Sequence, residues 1–183
     1  GIKAVLATGF VLTAVLVGFF MAIRRAEKSD WIDPSQAEMA HLKAINAQEN
    51  APGHAQNHIL AVGEMKPGIL RAVAHSFALW TIRMIITFNY RPGFVINMGT
   101  IHFARWWRVP GTNKTAFYSN FDGSWENYLE DFITRARWGQ SAAWSNWVGF
   151  PETRYLIFKG AGQGDDFKRW VRTRQQVVPF WYS

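Results

Sequence analysis

Twenty consecutive residues, Ala4 to Ile23, carry no charged side chain. At about 1.5 Å per residue a helix of that length spans roughly 30 Å, the thickness of the hydrocarbon core of a bilayer. A helix also satisfies every backbone donor and acceptor within the segment, as lipid demands. Thr8 and Thr13 can bond back to the preceding turn, and Gly9 and Gly18 are tolerated in lipid. A cleaved secretory signal has a shorter apolar region ending in small residues, whereas Phe19-Phe20-Met21 stands at that end here. A buried core helix would show a polar face, and this segment has none. The expectation is a transmembrane anchor over residues 1–25.

Lys3 precedes the run, and Arg24, Arg25 and Lys28 follow it. Positive residues are retained on the cytoplasmic side. The flanks therefore predict a single-pass protein of the inner (cytoplasmic) membrane, with the following domain in the cytoplasm. The absence of cysteine fits a reducing compartment, although exported proteins also lack it. Gly9 and Gly18 would let a neighbouring helix approach closely. Arg24 and Arg25 would fix the depth of the helix and attract lipid headgroups.

Beyond the anchor stand about 160 residues, enough for one domain with its own core. Ten Trp and fourteen Phe make that domain aromatic-rich. The net charge of +7 suits a surface near anionic lipid. Its basic residues are scattered and form no reader motif, so nucleic acid is not an expected partner. Residues 26–56 form a polar connector. Asp33-Pro34 starts a turn, and Ser35 to Glu38 forms a capping box that opens a helix to about Gln48. His41, His54 and His58 lack metal-ligand spacing and are expected to be solvated or hydrogen-bonded. No metal site is predicted.

Residues 57–183 carry the pattern of a compact domain. His58 to Lys66 alternates as a strand, stopped by Pro67-Gly68. Ile69 to Phe88 places Leu70, Val73, Phe77, Trp80 and Met84 on one helical face. Its length would suit a second span, but Arg71, His75 and Arg83 favour a packed or interfacial amphipathic helix. Thr100 to Val109 alternates strongly, with Ile101, Phe103, Arg105 and Trp107 on one face and His102, Ala104, Trp106 and Arg108 on the other. Pro110 to Asn113 is turn chemistry, and Lys114 to Phe121 completes a hairpin. Ser124 is placed to cap a helix that buries Trp125, Tyr128, Leu129 and Phe132 and ends at Gly139. Arg154 to Lys159 reads as a strand, and Gly160 to Gly164 as a flexible turn. Asp165 is expected to cap a helix bearing Phe167, Trp170 and Val171, and Val177 to Tyr182 to form a last strand.

Strand, helix, hairpin, helix, strand is the order of a ferredoxin-like α+β domain, an antiparallel sheet with helices on one face. The other face is open to pack on something else. Trp106, Trp107, Phe117 and Tyr118 make the sheet too apolar to stay wet on either side. Trp106, Trp107 and Tyr118 are the expected interaction residues, for a partner or for self-association.

A set of short stretches carries a resemblance. They are Asn57-His58 with Met65-Lys66-Pro67-Gly68, Thr100-Ile-His-Phe-Ala-Arg105, Ser119-Asn-Phe-Asp-Gly-Ser-Trp125, Trp144-Ser-Asn146, Gly149-Phe-Pro151 and Trp181-Tyr-Ser183. From about residue 56 onward the chain resembles bacterial membrane-anchored ferredoxin-like proteins of dimeric α+β barrel type, distantly similar to dye-decolourising peroxidases. The peroxidase side of the resemblance implies haem, with Asp122 as acid/base in an Asp-Gly pair and Arg105 as charge stabiliser. It also implies a proximal His after Asp122, and no His follows His102. His102, Arg105 and Asp122 are therefore the weak candidates for a cofactor site, and none is predicted to be catalytic.

No Ser-His-Asp order, Cys nucleophile or phosphate-loop ending is present. The expected role is that of a non-catalytic accessory or scaffold subunit. It would brace a larger integral-membrane complex, respiratory or photosynthetic, through lipid and protein contacts. No cofactor is predicted. The alternative is a membrane-anchored haem or small-ligand-binding protein.

Overall fold

The computed structural model describes residues 1–49, 51–53, 55–90 and 98–179. It is a mixed helix and sheet protein with a long apolar N-terminal helix. That helix, α1, covers Ile2–Glu27. Its first 17 residues all stand exposed, and Ile23 and Glu27 at its far end are buried. Helix α2 (Met39–Glu49) follows, then strand β1 (Asn57–Glu64), helix α3 (Ile69–Asn89), and strands β2 (Ile101–Arg108) and β3 (Lys114–Phe121). Helices α4 (Trp125–Arg135) and α5 (Arg137–Trp144), the two-residue strands β4 (Thr153–Arg154) and β5 (Phe158–Lys159), and helix α6 (Gly164–Arg174) complete the described elements.

The main sheet has the order β1-β3-β2, antiparallel throughout. The odd-numbered residues of β3 face the helices: Phe117 and Phe121 enter the core, and Ser119 Oγ accepts a 2.7 Å hydrogen bond from Tyr128 on α4. Burial pushes the Tyr128 hydroxyl far above its usual pKa, so it stays a donor. Between the sheet and helices α4 to α6 lies a nest of Trp144, Trp147, Trp170, Phe150 and Phe167, all essentially buried. Gly63 on β1 is required by that nest, because a Cβ there would stand 2.1 Å from the Trp147 ring.

Several local expectations need correction. A register shift between Ile101 and Phe103 turns Ile101 to the core side, opposite Phe121, so simple alternation fails at the start of β2. The helix begun at Ser124 breaks at Ala136 (φ −122°, ψ 10°), and Gly139 lies inside the next helix. Residues 154–159 are not one strand. They form a small hairpin in which Tyr155 (φ 53°) and Leu156 (φ 68°) take left-handed conformations. Helix α2 starts at Met39 because Asp33 Oδ1 accepts from the Ser35 backbone N–H in an Asx turn, which competes with the capping box. Gln163, not Asp165, stands at the start of α6, and Asp165 serves the helix dipole within the first turn. Gly160 is buried in a short 3-10 turn against Ser141. Gln175 bridges Ala61 antiparallel on the free edge of β1, but Val177 to Pro179 form no strand. The rest of that expected strand, and His54, lie outside the described residues.

Candidate functional site

The junction between α1 and the domain is built around Glu27. Its carboxylate accepts from the Leu156 N–H (2.7 Å), the Tyr155 N–H (2.9 Å), Thr153 Oγ1 (3.0 Å) and Arg24 Nη1 (3.4 Å). Those bonds explain the left-handed hairpin, whose strained residues aim two N–H groups at one anion. One turn earlier, Ile23 is fully buried against Ala74 and Leu156, with Phe19 and Leu70 beside them. Arg24 also donates to the Thr153 carbonyl, so it is turned into the junction, while Arg25 stays exposed.

The connector is fastened in the same way. Asp30 accepts from Lys66 Nζ at 2.7 Å and from Arg71 Nη2 at 2.7 and 2.8 Å. Burial pulls the Lys66 ammonium below its usual pKa, and Asp30 opposes that shift. Asp33 pairs with Arg174 at 2.6 Å. Burial would raise its pKa, but hydrogen bonds from Ser35 and the charges of Arg174 and Arg169 hold it lower. Glu49 on α2 pairs with Arg172 at 2.6 Å. His41 bonds to the Gln175 carbonyl at 2.8 Å.

Helix α3 turns polar groups inward beside apolar ones, with Leu79 and Ile82 packed against the core and Leu70 against Ile23 and Leu156. Its buried residues are Arg71, Ala74, His75 and Ala78. Its large apolar face points away from the domain, with Val73 51%, Phe77 45%, Trp80 57% and Phe88 78% exposed. Phe77 meets Phe19 of α1 edge to face, with centroids 6.5 Å apart. Beside this contact lies an apolar cleft of about 210 Å³, bounded by Phe20, Phe77, Ile82, Trp138, Tyr155 and Ile157 among others. By length and hydropathy α3, like α1, is long and apolar enough to cross a membrane.

The proposed interaction residues separate. Trp106 is turned inward onto Phe117, with centroids 4.5 Å apart, and its indole nitrogen is buried. Trp107 and Tyr118 lie on the other face of the sheet with Phe103, beside Arg105 and Arg108 in a shallow hollow. Gly9 and Gly18 lie on the bare surface of α1, where an added Cβ would meet nothing within 4 Å.

His102 Nε2 stands 2.8 Å from Asp122 Oδ2, and both side chains are about half exposed. Arg105 pairs in register with Tyr118, four residues before Asp122. That separation is roughly 13 Å along a strand, so the implied distal pair is not brought together. The cavity beside His102 measures about 230 Å³, below the roughly 300–1,000 Å³ of sites that enclose a drug-sized ligand. These residues do not fit a haem. Among the described residues no cluster of three metal-ligating side chains occurs.

No family model, curated protein or solved structure matches the chain. Sequence reasoning missed Glu27, Asp30 and Thr153. The available signal was an acidic pair, Glu27 and Asp30, set within an otherwise basic flank directly after a long uncharged apolar run.

Proposed function

We propose that this chain is a non-catalytic accessory subunit, held by α1 in the inner membrane, that braces a larger integral-membrane complex of respiratory or photosynthetic type. The observation that carries the reading is the rigid junction. A domain that needed only to stay near the membrane could hang from a flexible linker. Here α1 runs without a break into a buried carboxylate that receives four hydrogen bonds. The connector beyond it is pinned at Asp30, Asp33 and Glu49. Such a helix fixes the distance and orientation of the domain relative to lipid, as a strut requires.

The domain is read as ferredoxin-like. The β1-β3-β2 antiparallel order and the Gln175 bridge at the free edge of β1 support that reading. Its open sheet face, with Phe103, Trp107 and Tyr118, is the docking surface for a partner subunit or a second copy. The basic flank supports a cytoplasmic placement of the domain.

Purification in mild detergent tests the role. The chain is expected to run on a native gel well above its own 21.0 kDa, with integral-membrane proteins bound. Trp107→Glu, shown folded by a cooperative melt, is expected to release them. A wild-type chain that runs alone as a monomer overturns the subunit reading.

A further inference from the structure

We propose that the outward face of α3 is a second membrane contact, laid along the lipid surface at the base of α1, and that the adjoining cleft receives a phospholipid acyl chain. Resting on the reading of α1 as the anchor, the argument begins with position. Val73, Phe77, Trp80, Met84 and Phe88 recur at spacings of three and four and form one stripe. From Val73 to Phe88 the stripe extends about 22 Å along the helix. Water is a poor neighbour for it, since soluble surfaces rarely gather large apolar groups into one patch.

The occupant follows from what the stripe adjoins. Phe19 and Phe20 belong to the uncharged run of α1; Phe19 touches Phe77, and Phe20 lines the cleft with it. The stripe therefore starts at the depth where α1 leaves lipid. The cleft is walled almost wholly by carbon, and about 210 Å³ suits the end of one hydrocarbon chain. Its rim carries interfacial chemistry. Arg137 stacks on Trp138 and Arg154 on Tyr155, each guanidinium 5.6 Å from the ring centre. Aromatic rings beside basic groups are favoured at the headgroup level. Arg83 flanks the stripe, where a long side chain can reach the headgroups.

A full crossing by α3 is disfavoured by its other face. Arg71 is bound to Asp30 and His75 is fully buried, so that side is committed to the domain. The helix is left half in lipid and half on protein, as an in-plane amphipathic helix is.

The chain has no cysteine, so single nitroxide labels report cleanly. The full chain, reconstituted in phosphatidylcholine–phosphatidylglycerol vesicles, carries them one at a time at Val73→Cys, Trp80→Cys, Val15→Cys on α1 and Lys43→Cys on α2. Each variant is first shown folded by thermal melting. Collision with oxygen is compared with collision with a water-soluble nickel chelate. Val73→Cys and Trp80→Cys are expected to favour oxygen several-fold over Lys43→Cys, in the same sense as Val15→Cys. Nickel-accessible stripe labels beside a lipid-exposed Val15→Cys overturn this proposal and leave the anchor standing. Stripe labels shielded from both reagents show a second protein copy on the stripe and also overturn it. A nickel-accessible Val15→Cys defeats the anchor itself, and the proposal with it.

Discussion

Helices α3 and α4 are both amphipathic, and they turn opposite faces to the same domain. Helix α4 buries Trp125, Tyr128, Leu129 and Phe132 and leaves its charged residues to solvent. Helix α3 buries Arg71, Ala74, His75 and Ala78 and leaves Phe77 and Trp80 outside. Periodicity locates an apolar stripe, but it does not say which solvent the stripe will meet. For α4 the apolar side is the tryptophan nest. For α3 it is the side continuous with α1, where lipid is the neighbour we propose.

The largest expected effect breaks that symmetry directly. Phe132→Asn removes a ring from the core and buries an amide without partners, at a cost of about 5 kcal/mol or more. Trp80→Asn, on the outward stripe, should change the stability of the detergent-solubilised chain by less than about 1 kcal/mol. Thermal unfolding of the two variants measures the contrast. Equal losses would mean that α3 is packed outward as well as inward.

The Glu27 junction should come next. Glu27→Ala leaves the buried Leu156 N–H and the part-buried Tyr155 N–H with no acceptor and strands two left-handed residues, at about 3–4 kcal/mol. Glu130→Ala removes a half-exposed carboxylate from its surface pair with Lys168, and should cost under about 1 kcal/mol. A Glu27→Ala variant that melted like wild type would remove the rigid strut from the functional argument.

Much of this molecule was legible in its sequence, and the failures share a cause. The long apolar N-terminal helix, β1, the β2–β3 hairpin and the Ser124 cap followed from composition, period and turn chemistry, which act locally. Ser124 Oγ does accept from the Asn127 N–H at 3.2 Å. What stayed hidden depends on distant chain. The hairpin at 153–159 takes its shape from Glu27, more than 120 positions earlier. Ile101 faces inward because of a register shift that leaves no mark in alternation. Arg105 and Asp122 sit in suggestive company in the sequence, and the sheet register sets them apart. The inward placement of Trp106 and the outward placement of the α3 stripe are likewise tertiary facts.

The polar inner face of α3 gives a pH test. Burial, with the nearby Arg108 charge adding to it, lowers the His75 pKa from 6.5 to about 4. Between those values the unfolded chain takes up a proton that the folded chain refuses. Stability should therefore be full above about pH 6.5 and fall as pH drops toward 4, by up to about 3 kcal/mol. The measurement is the pH slope of unfolding free energy in wild type minus that in His75→Leu. No difference in slope would show that His75 is solvated in the folded chain and that the inner face of α3 is open.

The smallest effect concerns the space that α3 leaves beside α5. Gly139 lines both the cleft at the base of α1 and the cavity beside His102, and an added Cβ there would meet nothing within 4 Å. It lies within α5 and has no positive φ, so glycine is not needed for the backbone. Gly139→Ala should then stabilise the chain by about 0.5–1 kcal/mol, because alanine loses less backbone freedom on entering a helix. Gly63→Ala is the matched control. Its Cβ would overlap the Trp147 ring, and overpacking of a dense core is destabilising by about 1–3 kcal/mol. The two substitutions are chemically identical, and their opposite signs would map the empty space against the filled. Destabilisation by Gly139→Ala would mean that α3 and α5 close on each other at this point, leaving no room for a lipid chain between them.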